Sequence, residues 1–436
     1  MSTAQHLWFP YTQMKTAGIP PTVVRATGCT LHLADGRSAI DAIASWWSVI
    51  HGYQHPALIQ AVIDQVQTLP HVMLGGLTHA PAEELAQTLA TITPGDLQHV
   101  FFSDSGSVGV EVALKIAMQY WRNTGKPGKS RFVALRGAYH GDTFLAMSVG
   151  DPTDGMHHLF AAQLPQQLFL DRPPAWHADP AEIHSALAKA ETLLSQHADS
   201  LAALIFEPLV QGAGGFYMYA QGYLSGLRTL CRRYDILCIA DEVATGFYRT
   251  GTWFACDQAQ ITPDIMVLGK GLTGGYMGHA ATVVTPQIFE GFLGEPEKSL
   301  MHGPTFMGNP MACRLALASI ALLQHQDTQD QIAALSKAIT ARFSKIESPY
   351  IREIRSFGVI GVVEVSPALN LSTLSAFGLA HGVWLRPFGH IIYMAPPYCM
   401  TATEVNLVGD VIQAWLQQAV PLCSALPNKA ENSSKG

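Results

Sequence analysis

The sequence predicts an α/β fold: a large domain with a mostly parallel sheet covered by helices on both faces, plus a smaller α+β domain. Three observations predict it. First, short apolar runs at His99–Phe102, Arg131–Leu135, Leu201–Phe206, Ile236–Ala240, Ile265–Leu268 and Ala280–Val284 read as buried strands. Second, helical spacing separates many of them, most clearly over 112–121 and 223–234, and such alternation builds parallel sheets. Third, nearly every strand runs into a polar or glycine-rich turn, as at Ser103–Ser107, Gly137–Asp142, Glu207–Gly215, Asp241–Glu242 and Gly269–Gly275. In open α/β sheets that edge is where ligands bind.

The remaining elements follow from the same rules. Trp8–Thr12 is aromatic, proline-bearing and extended. Val23–Val24 and Leu31–Leu33 form a small hairpin with an Asp35-Gly36 turn. Helices are expected over 56–69, 81–91, 310–323, 331–346 and 402–417, and strands over 354–364, 383–386 and 391–394. The tandem Trp46-Trp47 is notable, because adjacent side chains on a regular strand or helix face different ways. Core filling is the commoner fate of tryptophan, but with two adjacent rings one is expected to line a pocket. The expected division is 1–50 as an N-terminal segment serving the small domain and the site, and 51–325 as the large domain. Residues 326–425 form the small domain and 426–436 a disordered polar tail.

Composition narrows the function. Hydrophobic residues make up 48% of the 436 and charged ones 14%, so the core is large. A formal charge of -7 without a basic run excludes nucleic acid as the main partner. No apolar run approaches a membrane span, and Met1–Pro10 has neither a basic start nor a long apolar core. A cytoplasmic protein is expected. The seven cysteines are scattered without a Cys-x-x-Cys pair, which fits reduced thiols and no zinc site. His51 and His55 have i, i+4 spacing, but Gly52 and Pro56 oppose a helix there, so no metal is expected.

The chemistry centres on Lys270. It ends the apolar run Ile265–Leu268 between Gly269 and Gly271, which leave room for a cofactor. A partly desolvated lysine at such an edge has a lowered pKa and can attack a carbonyl. Ser105-Gly106-Ser107, between a strand and a helix, makes an anion cradle. Asp241 ends the preceding strand, and Tyr139-His140 follow another. Taken singly these are a snorkelling lysine, helix caps and a packed aromatic ring. Together they match pyridoxal 5′-phosphate, which needs a lysine, a carboxylate for its ring nitrogen and an anchor for its phosphate.

With those residues in view, the chain resembles the class III aminotransferases of fold-type I. The resemblance is carried by Asp241–Gly251 with Lys270, Trp8–Thr12, Ser45–Trp47, His51–Tyr53, His71–Met73, Gly76–Pro81, Asp104–Ser107, Tyr139–Asp142, Met301–Pro310 and Trp384–Gly389. It extends from about Trp8 to Tyr398. It implies Lys270 as the Schiff-base lysine, Asp241 at the pyridine nitrogen, Gly106 and Ser107 on the phosphate, and Tyr139 stacked on the ring. Pro304 and Thr305 are implied to reach in from a second subunit of a homodimer. Tyr11 is implied in catalysis, and Trp46, Trp47, Tyr393, Tyr139 and Gly303 in lining the substrate cavity. Arg386 is implied for a substrate carboxylate, with Arg249 and Asp142 in support. Arg249 is equally readable as a structural ion pair.

Among class III enzymes, the marks imply a ping-pong transfer from S-adenosylmethionine to 8-amino-7-oxononanoate, as in biotin biosynthesis. A broader ω-aminotransferase with lysine or another amine donor is the alternative, and a non-enzymatic cofactor-binding protein a third. Tyr248, Gly271 and His279 stand where glycine, alanine and an apolar residue are usual in the family, so pocket shape near Arg249 is the expected difference.

Overall fold

A computed structural model describes residues 6–419. The expected disordered tail at 426–436 lies outside the described residues. At the centre is a seven-stranded sheet in the spatial order His99–Ser103, Ala280–Val284, Ile265–Leu268, Leu237–Asp241, Leu201–Phe206, Arg131–Leu135, Leu168–Leu170. Only Ala280–Val284 runs antiparallel to its neighbours; the other pairings are parallel. The inner strands are buried along their whole length because helices cover both faces, which is why they read as unbroken apolar runs. The edge strand Leu168–Leu170 and the helix Pro180–His197 were not legible as elements in the sequence reading. Asp179 caps that helix, accepting from the N–H groups of Ala181 and Glu182 at 2.8 and 2.9 Å, with Pro180 at its start.

Besides the two-stranded pair Val210–Gln211 and Tyr217–Met218, two smaller sheets flank this core. Ile351–Ser356, Gly361–Val365 and Ile391–Met394 form one, all antiparallel. The closing helix Ala402–Gln418 starts in a Thr401/Glu404 capping box and packs on the helix Gln326–Phe343, where Arg342 pairs with Asp410 at 2.7 Å. The other sheet joins the two ends of the chain. Val23–Thr27, Thr30–Leu33 and Ser38–Asp41 form a meander, and Val383–Trp384 adds to it in parallel, with Trp384 opposite Asp41. The Asp35-Gly36 turn therefore joins the second and third strands rather than the first two. The residues after Asp41 come to lie beside those after Trp384 through this pairing. That sets up the site.

Candidate active site

Lys270 directly follows the turn at Gly269 at the end of its buried strand, with φ of 46°. A non-glycine residue in the left-handed region costs about 1 kcal/mol and persists only where its surroundings hold it. Burial pushes the Lys270 amine down to about 8, against the opposing pull of Asp241 and Glu207. Its Nζ stands 4.3 Å from the centre of the Trp47 ring.

Asp241 ends the adjacent parallel strand and is 6% exposed. Its carboxylate accepts from the Val243 N–H at 3.2 Å and faces His140 Nδ1 at 2.8 Å. His140 is buried, and its Nε2 has no partner among the described residues. Glu207, at the end of the next strand, accepts from the Tyr139 and Gly212 N–H groups at 3.1 and 2.9 Å. Burial pushes its carboxyl up to about 7. His140 and Glu207 follow strands in the sequence, but nothing local there marks these partners.

Both tandem tryptophans line the cavity, as the resemblance implies, although a strand or helix period would have sent only one of them there. Ala44, Ser45, Trp46 and Trp47 all have left-handed φ, at 46°, 45°, 59° and 71°. In such a turn consecutive side chains no longer point to opposite sides, so both rings line the same cavity. The Trp46 ring lies 4.6 Å from the Arg386 guanidinium carbon and edge-on to Tyr11. Trp47 packs edge-on to Phe216 and Tyr393. Buried Asp41 ties the turn down: its Oδ1 accepts from the Ile43 N–H at 3.0 Å and its Oδ2 from the Ser45 N–H at 2.8 Å. The Tyr53 hydroxyl donates to Oδ2 at 2.7 Å.

The cavity so formed has a volume of about 540 Å³. Tyr11, Trp46, Trp47, Tyr139, Asp142, Lys270, Arg386 and Tyr393 all line it. On one wall the hydroxyls of Tyr11 and Tyr139 donate to Asp142 Oδ1 at 2.8 and 2.9 Å, and His157 Nε2 meets the same oxygen at 2.9 Å. Those bonds, the one from His157 foremost, hold the Asp142 carboxyl below its usual range. His157 also stacks on Tyr139.

The anion cradle is the N-terminus of the helix Gly106–Asn123, capped by Ser105. Ser107 Oγ accepts from the Asp142 N–H at 3.0 Å, which joins the cradle to the cavity wall. Gly141, at φ 118°, lies so close to Ser107 that a Cβ there would stand 2.5 Å from its Oγ.

Several expectations are corrected. Arg249 forms no ion pair among the described residues, and it does not line the cavity. It is buried, donating to the Pro396 carbonyl at 2.8 Å and stacking 5.0 Å from the Tyr398 ring centre, and burial lowers its pKa. One guanidinium nitrogen reaches the Trp47 carbonyl at 3.4 Å, so Arg249 touches the site from behind. Gly303 stands apart from the cavity lining within one protomer, as do Pro304 and Thr305, which the resemblance assigns to a second subunit's site; Gly303 and Thr305 are exposed. Gly271 does not leave room for a cofactor: a Cβ there would meet Ile50 at 3.3 Å. Tyr248 packs on Trp253, and His279 stacks on Phe102 in the core, so neither shapes the cavity.

A strand-end lysine, a strand-end carboxylate and a helix N-terminus on one mostly parallel sheet define a class of protein, and the comparisons agree with it. Residues 11–416 match the family model for class-III aminotransferases, and the chain belongs to that family. A relative from Mycobacterium leprae, named adenosylmethionine-8-amino-7-oxononanoate aminotransferase, is 46% identical over 92% of this chain and 93% of its own. A crystal structure of an enzyme of that name from Methanocaldococcus jannaschii superposes with a TM-score of 0.89 at 32% identity, covering 95% of this chain and 97% of the other. An amine transaminase from an uncultivated Pseudomonas species, solved with pyridoxal phosphate bound, also reaches 0.89, at 29% identity over 95% and 99% of the two chains.

Proposed function

We propose that this chain moves the amino group of S-adenosylmethionine to 8-amino-7-oxononanoate, giving 7,8-diaminononanoate, as a step of biotin biosynthesis in the cytoplasm. One observation carries the reading. In a chain so similar to the M. leprae enzyme, a single cavity sets one tryptophan against Lys270 and another against Arg386.

The cofactor is pyridoxal 5′-phosphate, and the residues present fit it. Lys270 is an amine held near neutrality by burial, and Asp241 is a buried carboxylate fixed by a backbone N–H and His140. The Gly106–Ser107 helix end offers N–H groups to a phosphate. When bound, the group supplies an electron sink for the bond broken at the donor's α-carbon. With its pKa lowered to about 8, Lys270 is part neutral near physiological pH. That suits it to accept and return the proton at the reacting carbon. Asp241 would keep a proton on the ring nitrogen, and Tyr139 would be the residue to stack on the ring.

Among the described residues Arg386 has no carboxylate partner, which leaves its planar fork free for a substrate carboxylate. Tyr11 and Asp142 close the same wall and orient the substrate. Trp46, Trp47 and Tyr393 exclude water from the alkyl chain and the adenine. Arg249 supports Trp47 from behind. The working unit is a homodimer in which Pro304, Thr305 and Gly303 complete the partner's site. The division into 1–50, 51–325 and 326–425 is part of the same proposal.

Half-reactions with single donors test the reading by following cofactor absorbance. S-adenosylmethionine is expected to bleach it. If lysine does so and S-adenosylmethionine does not, the donor assignment is overturned in favour of an ω-aminotransferase.

A further inference from the structure

The run of four left-handed residues at 44–47 contains no glycine, and both of its indoles carry a contact the proposed reaction uses. Backbone held in a disfavoured region at a site requires something to hold it. The backbone bonds within the turn are few: Trp47 N–H to the Ile43 carbonyl at 2.8 Å, and Ser48 and Val49 N–H to the Ala44 carbonyl at 2.9 and 3.0 Å. Ser48 Oγ donates to the Ser45 carbonyl at 3.0 Å and Arg249 reaches the Trp47 carbonyl at 3.4 Å, but the side chain with the most bonds to the turn is the fully buried Asp41 carboxylate, which takes two backbone N–H groups and the Tyr53 hydroxyl. Ser45 Oγ meets the same hydroxyl at 2.6 Å. Asp41 does not line the cavity.

We propose that Asp41, with Tyr53, is a positioning residue for the reaction. Its carboxylate fastens the left-handed turn, and through the turn sets Trp46 against Arg386 and Trp47 against Lys270. The strand pairing sharpens this role, because Asp41 lies opposite Trp384, two residues before Arg386. A single carboxylate thus anchors the turn at the point where the two chain ends meet. The contact with Arg386 pre-sets the guanidinium for a carboxylate-bearing substrate, and in that respect the inference rests on the proposed function.

Asp41→Asn is the sharpest perturbation. Either orientation of the amide points its NH₂ at a backbone N–H that needs an acceptor, so the turn loses its fastening with almost no change of volume. In the holoenzyme the KM for 8-amino-7-oxononanoate is expected to rise about tenfold, with a smaller fall in kcat. The near-ultraviolet circular dichroism of the tryptophans is expected to weaken even without substrates. A double-mutant cycle separates positioning from general destabilisation. Once the turn is loose the Trp46 contact is already gone, so Asp41→Asn with Trp46→Phe is expected to be no worse in KM than Asp41→Asn alone. Where Asp41→Asn yields no folded holoenzyme, Tyr53→Phe keeps the carboxylate and is expected to raise KM about threefold with the same non-additivity.

Multiplying losses in the cycle, or a wild-type KM together with a wild-type circular dichroism band, overturn the inference. Absence of turnover of this acceptor by the wild type overturns the proposed function instead. The substrate-free dichroism still reads the turn in that case.

Discussion

The lysine on which the chemistry turns is also a liability for the fold, and that can be measured. Burial lowers the Lys270 amine from 10.5 to about 8. A free base with a lowered folded-state pKa binds its proton less well when folded. From pH 8 to 10.5 the unfolded chain therefore holds more of that proton, and stability rises with pH across the window. Below pH 8 both states are charged and the full penalty applies, about 3 kcal/mol for a shift of this size. Lys270→Met keeps the length and apolar stem but carries no charge. In the cofactor-free protein at fixed concentration, the variant is expected to be more stable than the wild type at pH 7. The advantage should shrink by about 3 kcal/mol as pH rises to 10.5. Denaturant unfolding at pH 7, 9 and 10.5 reads this directly, and the difference between the two proteins cancels the other titrating groups. A difference that does not change with pH refutes the reasoning, because the amine would then be as well solvated folded as unfolded.

Other consequences are simpler to check. Lys270→Ala is expected to abolish turnover while leaving some cofactor bound without a covalent link, read from activity and from cofactor retained after gel filtration. Arg386→Met keeps an apolar stem beside Trp46 but removes the fork, and should lower kcat/KM for 8-amino-7-oxononanoate by about 100-fold, the loss of two charge-assisted hydrogen bonds in a partly wet cavity. Ser105→Ala removes the cap on Val108 N–H and should destabilise the cradle helix by about 1 kcal/mol, seen in thermal unfolding. If Thr305 completes the partner's site, mixing Lys270→Ala and Thr305→Glu protomers, each inactive alone, should restore about a quarter of wild-type activity through mixed dimers with one intact site. No recovery on mixing would place Thr305 in its own protomer's function.

Groups at strand ends were legible in the sequence because an apolar run marks the strand, and the next residue must then lie at the sheet edge. Lys270 and Asp241 are of that kind, and Ser107 opens the helix that follows such a strand. The contacts among them were not legible, since nothing local pairs His140 with Asp241 across 101 residues or Tyr11 with Asp142 across 131. Arg249 shows the same limit in reverse. Its place in the motif is plain, yet only the fold shows its guanidinium spent on backbone carbonyls.

The tandem tryptophans mark a different limit. A period of 2 or 3.6 assigns neighbouring side chains to different faces, and it holds only where the backbone is a strand or a right-handed helix. Left-handed φ at four successive residues breaks the period, and without glycine no composition cue announces the break. What the sequence does carry is its fastening: Asp41 two and four residues before the N–H groups it accepts, with Tyr53 close behind. Short-range aspartate-to-backbone bonds are the ordinary way a chain stabilises a turn against its preferred conformation. A buried aspartate ahead of two aromatic residues is therefore as informative about where their rings point as the aromatic residues themselves.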